Sequence, residues 1–227
     1  AGRNVTVGIL EAECNELNKR FFTFHQKKRP FVILKWAESQ DGFLSPAHKE
    51  EKKPVWITNA FSRQLVHKWR TQEQAILVGT QTVLDDNPKL DSRDWKGNNP
   101  TRIVLDRTGK ISEDYFVKDN KIKTIVITEQ ENLENSSHIS FENAIFDSNL
   151  PFSVLEILYK NNIQSVIIEG GKQTLQTFID ANLWDEARIF KGQNSFKNGT
   201  KSPDFKGNLV SKEAILNDEL LIFKNYD

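Results

Sequence analysis

Charged and polar residues follow several apolar segments of the sequence, and their types can do chemistry. The ranges they occupy are 39–42, 82–93, 106–107 and 169–171. The densest range carries two adjacent carboxylates, Asp85 and Asp86, and ends at Arg93. A strand that ended in a plain turn would not need so many polar groups. Because ligands of parallel α/β sheets bind beyond the carboxyl ends of the strands, these ranges predict a binding cleft.

Two adjacent glycines, Gly170 and Gly171, follow Glu169 directly before a segment of helical type. Glycines at such a turn let backbone N–H groups and a helix N-terminus converge on an anion, for example a pyrophosphate. Two glycines at this place are also typical of an ordinary turn without a ligand. On the motif alone, this simpler interpretation is favoured over an anion site. No G-x-G-x-x-G occurs in the sequence, so a standard Rossmann site is not expected.

Single residues allow a functional and a structural interpretation. Lys35 lies inside the apolar stretch "FVILKWA", where an unpaired ammonium is costly, so it needs a partner or a role. Arg70 comes late in an amphipathic helix, and from position alone it compensates the helix dipole. Trp56 precedes a helix cap, where a tryptophan is more often a core residue. Asp41, before Gly42, is interpreted as a turn residue.

The elements that must position these residues alternate along the chain. Short β-branched segments predict strands at 5–9, 31–37, 75–79, 102–106, 124–128 and 165–171. Apolar residues at helical spacing predict helices at 11–24, 60–71, 152–162 and 172–182, the second capped by Thr58 or Asn59. This order predicts an α/β domain with a mostly parallel sheet flanked by helices. Two further strands, "EARIFKG" and "ELLIFKN", predict an antiparallel edge.

Composition excludes several classes of protein. Lys and Arg total 31 and Asp and Glu total 31, which disfavours nucleic-acid binding. The single cysteine, Cys14, excludes a disulfide framework and a multi-cysteine zinc site, and its helical position predicts a small core residue. No apolar run is long enough for a transmembrane helix and no secretory segment is visible, so we expect a cytoplasmic protein without a membrane partner. The absence of methionine suggests an excised or processed fragment.

Five blocks occur in a fixed order: "RPFVILKWAESQDG", "WITNAFSRQLVHKWR", "AILVGTQTVLDDNPKLDSR", "PTRIVLD" and "SVIIEGG". Together they resemble the reductase domain of the bifunctional deaminase–reductase of riboflavin biosynthesis, over about residues 29–190. The resemblance implies a dihydrofolate-reductase-like fold and a homodimer. It also implies reduction of 5-amino-6-(5-phosphoribosylamino)uracil to the ribitylamino compound with NADPH. Two alternatives stay open: a reductase of the same fold acting on a pterin or another small molecule, and a non-catalytic module that dimerises a deaminase.

The same resemblance divides the chain into two parts. Residues 1–28 resemble the final strand and helix of the family's zinc deaminase domain with its linker, and residues 29–227 form the reductase domain. His48 and Glu50 match the H-x-E part of the deaminase motif, but no P-C-x-x-C follows. We interpret their charged segment, 46–54, as a solvated loop, and expect neither zinc nor deaminase activity in this chain.

The resemblance also assigns roles residue by residue. The cofactor-contacting positions are Ala37, Trp56, Thr82, Asp86, Arg107, Gly171, Lys172, Gln173, Thr174, Leu175, Gln176 and Thr177. The substrate-contacting positions are Arg70, Leu90, Arg93 and Glu169. The candidates by residue type for the general acid are Lys35, Asp86 and Glu169. Arg107 is expected to select NADPH by its 2′-phosphate, and Arg70 with Arg93 to bind the substrate phosphate.

Two positions depart from the family pattern. A serine that usually lies two residues before the tryptophan is replaced by Pro54, which has no side-chain hydrogen-bond donor. The C-terminal pattern P-x-L-[IL]-G is replaced by "KGQNSFKNG", the start of a polar range, 192–208, that we expect to be a mobile loop. Both departures concern substrate binding more than cofactor binding.

Overall fold

A computed structural model describes residues 4–48 and 55–226 of the chain. The helices are α1 (Glu11–Leu17), α2 (Lys19–Lys27), α3 (Ala60–Gln72), α4 (Thr80–Asp86), α5 (Leu150–Lys160) and α6 (Lys172–Asp180). The strands are β1 (Phe31–Glu38), β2 (Phe43–Pro46), β3 (Ala75–Gly79), β4 (Thr101–Leu105), β5 (Thr124–Thr128), β6 (Ile139–Asn143), β7 (Ser165–Ile168), β8 (Glu186–Lys191), β9 (Gly199–Lys201), β10 (Asn208–Ile215) and β11 (Asp218–Lys224).

The central sheet has nine strands in the order β10-β11-β8-β1-β7-β3-β4-β5-β6. Every pair from β8 to β6 is parallel, and β11 and β10 extend the sheet as an antiparallel edge. A separate two-stranded sheet joins β2 to β9. The predicted mostly parallel sheet with an antiparallel edge is therefore confirmed.

Strand β1 shows how the two faces of the sheet are buried. Val32, Leu34 and Trp36 belong to the larger core, which also contains apolar residues of α5 and α6. Phe31 and Ile33 belong to the second core, with residues of α3. Because side chains alternate along a strand, Lys35 lies on the α3 face.

Helix α3 begins as its sequence predicts. The side chain of Asn59 accepts hydrogen bonds from the backbone N–H groups of Phe61 and Ser62, at 2.9 and 3.1 Å. This cap satisfies two donors that would otherwise lack a partner. The helix then runs for 13 residues and carries Arg70 in its last turn.

The N-terminal predictions are partly wrong. Residues 5–9 form no strand, since they pair with no described strand, and Val5 and Val7 are 80% and 90% exposed. The helix predicted over 11–24 is two helices, interrupted at Asn18, whose side-chain amide donates to the carbonyl of Cys14 at 2.9 Å. Cys14 is exposed and is not a core residue.

Four strands and one helix were not predicted. Strands β2, β6, β9 and β10 are short or largely polar, and β9 lies within the range expected to be a loop. Residues 80–86, for which no helix was predicted, form α4. No helix within the described ranges is both long and apolar enough to cross a membrane.

Candidate active site

Lys35, Arg70 and Glu169 meet on the α3 face of the sheet. Strands β1 and β7 are adjacent in parallel register up to Leu34 and Ile168, so the next residues, Lys35 and Glu169, lie side by side. The Arg70 guanidinium donates to Glu169 Oε2 at 2.8 Å, and Lys35 Nζ lies 3.9 Å from the same oxygen. The side chains are 10–15% exposed. Three elements thus bring together two cations and one anion.

Burial and charge act in opposite directions on this cluster. Burial raises the pKa of Glu169, but the charges of Arg70 and Lys35 and the Arg70 hydrogen bond outweigh it and lower the pKa to about 2. Burial lowers the pKa of Lys35, with Glu169 opposing and Arg70 reinforcing that shift. Glu169 is therefore ionised at neutral pH, and Lys35 releases a proton more readily than an exposed lysine.

Two buried polar atoms of this cluster, Glu169 Oε1 and Arg70 Nε, have no hydrogen-bond partner. Such atoms are rare inside proteins because leaving them unsatisfied costs roughly 1–3 kcal/mol each. The cluster therefore has the capacity to accept from and donate to a bound molecule.

Arg70 and Arg93 contact the same residue. Arg70 donates to the backbone carbonyl of Asp91 at 2.9 Å, and Arg93 forms an ion pair with the Asp91 carboxylate. Arg70 and Arg93, which are predicted to bind the same phosphate, thus both contact Asp91. Arg93 is about half exposed, whereas Leu90 is 2% exposed and has a φ of 52°. A substrate contact at Leu90 would involve its backbone, and that contact stays a prediction.

His67 was missed by the sequence analysis. It lies on α3 one turn before Arg70, with Nε2 3.2 Å from Asp94 Oδ2, and its ring is buried. Burial, together with Arg70 and Arg93, lowers its pKa. The available signal was the spacing of three between His67 and Arg70, which places them on one helix face.

The carboxyl ends of β3 and β7 form a close-packed cradle. A Cβ added to Gly170 would lie 2.6 Å from Thr174 Cβ, so glycine is needed there for α6 to sit this close. A Cβ added to Gly79 would lie 2.6 Å from the Thr174 hydroxyl oxygen. The Gly171 backbone N–H donates to Thr82 Oγ1 at 3.0 Å. Neither α4 nor α6 has a side-chain N-cap hydrogen bond. The open N–H groups at the start of α6 fit the pyrophosphate of a dinucleotide.

The predicted run along α6 divides by exposure. Lys172 and Gln173 are exposed in the first turn, whereas Leu175 is completely buried in the core. Gln176 binds Asp180 and the carbonyl of Asp204, and Thr177 binds the carbonyl of Gln173. The start of the helix is therefore the part that is free to meet a ligand.

A cleft of about 420 Å³ lies beyond β3 and β4, lined by Thr80, Arg107, Thr108, Lys110 and Glu129. Arg107 is 58% exposed and pairs with Glu129 at 2.7 Å. The buried Asp106 accepts from the backbone N–H groups of Lys110 and Ile111 at 3.0 Å, which fixes the turn that carries Arg107. The two cations suit an anionic group of a ligand.

Three more predicted residues lie on α4, on β1 and in the segment before α3. Asp86 ends α4 one turn after Thr82, so both share one helix face. Ala37 lies on β1 on the same face as Lys35. Trp56 is 56% exposed, with the Arg63 guanidinium 4.7 Å from the ring centroid, so it is not a core residue.

Asp41 has the structural role expected of it. Its carboxylate accepts hydrogen bonds from the hydroxyls of Ser39 and Ser195, which, with the backbone N–H groups of Phe196 and Lys197, lower its pKa. It thereby ties the turn after β1 to the segment before β9.

Two sequence predictions fall on residues 49–54, which lie outside the described ranges. They are the H-x-E match at Glu50 and the departure at Pro54. Within residues 4–48 and 55–226, no group of three or more His, Cys, Asp or Glu residues is arranged to hold a metal ion. The expectation that the chain binds no zinc stays a prediction.

A sequence profile described as "RibD C-terminal domain" matches residues 30–192. The chain belongs to the RibD C-terminal domain family. The riboflavin biosynthesis protein RibD of Aquifex aeolicus is 31% identical to it, over 100% of this chain and 66% of that protein. The resemblance found in the sequence is thereby confirmed.

Solved structures place this RibD C-terminal domain in its fold. A Thermotoga maritima protein entitled diaminohydroxyphosphoribosylaminopyrimidine deaminase/5-amino-6-(5-phosphoribosylamino)uracil reductase is 34% identical, with a TM-score of 0.83, over 96% of this chain and 62% of that one. Dihydrofolate reductase of Enterococcus faecalis, 13% identical, has a TM-score of 0.51 over 86% of this chain and 97% of that one. The dihydrofolate-reductase-like fold is confirmed. The chain spans about two thirds of the length of the Aquifex and Thermotoga proteins.

Proposed function

We propose that the chain transfers a hydride from NADPH to C1′ of the ribose of 5-amino-6-(5-phosphoribosylamino)uracil, giving the ribitylamino product. The observation that carries the proposal is the buried cluster of Lys35, Arg70 and Glu169 beside the open N-terminus of α6. The name of the Thermotoga relative includes this reductase activity and supports the choice of substrate.

NADPH, when bound, supplies the hydride. The residues that would hold it are those of the cradle and the cleft. The Gly171 turn and the first-turn N–H groups of α6 suit the pyrophosphate. Arg107 and Lys110 suit the 2′-phosphate that distinguishes NADPH from NADH.

Arg70 and Arg93 hold the phosphate end of the substrate. A phosphomonoester carries about −1.5 to −2 charges at neutral pH, and two guanidinium groups match it. Their common attachment to Asp91 supports this assignment. Glu169 Oε1, a buried acceptor without a partner, suits an N–H or O–H group of the substrate.

Opening of the ribose ring needs a proton at the ring oxygen as the C1′–O bond breaks. Glu169 is ionised at neutral pH and has no proton to give, because Arg70 and Lys35 lower its pKa. Burial lowers the pKa of Lys35, so its ammonium form gives up a proton more readily than that of an exposed lysine, and we assign it as the acid. Glu169, whose carboxylate lies 3.9 Å from Lys35 Nζ, opposes the effect of burial and favours the ammonium form of Lys35. Asp86 is left with a cofactor-contacting role.

The remaining assignments complete the proposal. Residues 1–28 derive from the end of a deaminase domain and its linker, and residues 29–227 form the reductase. The reductase works in the cytoplasm as a homodimer, which sedimentation at micromolar concentration tests. Its partner is a small molecule, and the equal numbers of acidic and basic residues argue against nucleic acid.

The test is turnover followed by loss of NADPH absorbance. We expect the phosphoribosylaminouracil to be reduced with NADPH, little reaction with NADH, and none with dihydrofolate. Lys35→Gln should bind NADPH as the wild type does while losing at least a hundredfold in kcat. NADPH binding without turnover of the phosphoribosylaminouracil would refute the proposal.

A further inference from the structure

We propose that His67 is a positioning residue for the substrate phosphate: through Asp94 it holds the chain segment that presents Arg93. The inference rests on the proposed function and adds to it a residue on α3 that does not itself touch the substrate. It concerns residues 90–95, the arginine segment.

All residues of the arginine segment other than Arg93 contact the rest of the fold. Its attachments are Leu90 in the apolar cluster of β3 and β4, the Asp91 carbonyl bound by Arg70, Ser92 bound to Asn99, Asp94 near His67, and Trp95 beneath the Lys68 ammonium. Arg93 projects from this segment about half exposed, with Asp91 as its ion-pair partner.

Arg70 contacts the chain before Arg93, and His67 contacts the chain after it. They are three residues apart on α3, so they share one face of the helix. Arg70 binds Asp91, two residues before Arg93, and His67 Nε2 lies 3.2 Å from the carboxylate of Asp94, the residue after Arg93. Because α3 is capped by Asn59 and packed on the sheet, it offers a rigid support for both contacts.

The surroundings of His67 favour a neutral ring with its proton on Nε2, the nitrogen that lies 3.2 Å from the Asp94 carboxylate. Arg70 on its own helix and Arg93 on the arginine segment repel a positive ring, whereas Asp91 and Asp94 on that segment attract one. Glu169, at the end of β7, is a further anion that interacts with the ring. Nδ1 is buried without a partner, and a proton there would have no acceptor. The neutral form thus leaves the positive charge to the two arginines.

The experiment compares His67→Ala, His67→Gln and His138→Ala, the last removing an exposed histidine as a matched control. Binding of ribose 5-phosphate and of ribose is measured by calorimetry, independently of turnover. KM and kcat are then measured for the phosphorylated substrate and for its dephosphorylated form. Thermal unfolding is recorded for each variant.

We expect His67→Ala to weaken ribose 5-phosphate binding about three- to tenfold and to raise KM for the phosphorylated substrate by the same factor. Its kcat, its ribose binding and its KM for the dephosphorylated substrate should stay within about twofold of wild type. His67→Gln, which keeps an N–H donor near the position of Nε2, should recover most of the loss. His138→Ala should behave as wild type.

The outcomes separate this inference from the proposed function. A wild type that binds ribose 5-phosphate but does not reduce the substrate refutes the proposed function, and His67 is then judged on binding alone. Unchanged ribose 5-phosphate binding in His67→Ala overturns the inference. Equal losses for phosphorylated and dephosphorylated ligands also overturn it, since they indicate a general structural role. If His67→Ala does not fold, Asp94→Ala removes the same contact from its exposed side, and unchanged ribose 5-phosphate binding in that variant overturns the inference.

Discussion

The Arg70 guanidinium lies 2.8 Å from the Glu169 carboxylate, although 99 positions separate the two residues in the chain. Arg70 also binds the carbonyl of Asp91, so one side chain joins the end of β7, helix α3 and the segment that carries Arg93. The geometry of the proposed phosphate site therefore depends on two different arginines: the Arg70 side chain is nearly buried, and the Arg93 side chain is about half exposed. The two arginines should respond differently to mutation.

Arg93→Ala should raise KM for the phosphorylated substrate at least tenfold, because one charge-assisted pair with the phosphate is worth roughly 1.5–3 kcal/mol. Its melting temperature should stay near that of the wild type, since its one ion pair is exposed. Arg70→Ala should raise KM by a similar factor and also lower the melting temperature, because it leaves Glu169 buried with Lys35 alone. Steady-state kinetics and thermal unfolding measure both effects.

NADPH affinity, measured by fluorescence titration, serves as the control for these two variants and should change less than about twofold. Substrate binding should also weaken as salt is added, more in the wild type than in either variant. Wild-type kinetics in both variants would place the phosphate elsewhere, and Arg70 would then serve only the helix end and Glu169.

Glu169→Gln tests the charge balance of the buried cluster. The folded-state pKa of Glu169, about 2, lies below its ordinary value of 4.5. Its ionised form therefore stabilises the fold above about pH 4.5, and this contribution is lost as the pH falls toward 2. The variant should be less stable than the wild type by roughly 3 kcal/mol at pH 7, and the gap should narrow as the pH falls from 4.5 to 3.

Chemical denaturation at a series of pH values gives this difference in the free energy of unfolding. Glu156→Gln, on the exposed face of α5 where Glu156 pairs with Lys160, is the matched control and should show no such trend. If the difference in the free energy of unfolding between wild type and Glu169→Gln stayed constant from pH 7 to pH 3, Arg70 and Lys35 would not be lowering the pKa of Glu169.

Arg107→Ala tests the selection of NADPH. We expect NADPH affinity to fall at least tenfold and NADH affinity to stay within about twofold, because the two cofactors differ by one phosphate. Glu129→Gln supplies a variant of opposite sign: it frees Arg107 from its ion pair and should strengthen NADPH binding. Equal losses for both cofactors in Arg107→Ala would show that this side chain does not contact the 2′-phosphate.

Local signals in the sequence were sufficient wherever they agreed with long-range packing. The Asn59 cap, the apolar stretch before Gly79 and the Gly170-Gly171 turn each predict an element that the structure contains. Val5 and Val7 have the pattern of a strand, but a strand needs a partner for its backbone, and the described residues offer none. Alternation of apolar and polar residues in a sequence does not show whether a neighbouring strand is present.

The candidate site was predictable in its residue types more than in its contacts. Lys35 inside an apolar strand implied a partner, yet only the register of β1 and β7 identifies that partner as Glu169. His67 gave little signal, since a histidine within an amphipathic helix is common. Its meaning depends on Asp94, which approaches only because of the path of the chain after α4.

The last prediction concerns Glu73, which directly follows α3 and whose side chain is completely buried. Arg20 of α2 binds its carboxylate with two donors, one of them Nε at 2.7 Å, and Arg188 lies 3.6 Å away. Arg20→Ala leaves a buried carboxylate with the more distant arginine only. We expect a loss of about 2–3 kcal/mol, which for a chain of this size lowers the melting temperature by roughly 4–12 °C.

Because Glu73 lies three residues after Arg70, the same variant should also raise KM for the phosphorylated substrate by about two- to fivefold, without changing NADPH affinity. Lys160→Ala, which removes an exposed cation from α5, is the control and should leave both quantities unchanged. The melting temperature is read by calorimetry, and KM by NADPH consumption. If Arg20→Ala had the same melting temperature as the wild type, α2 would not anchor the end of α3. A destabilised variant with an unchanged KM would mean that the anchor serves the fold alone and that Arg70 keeps its position without it.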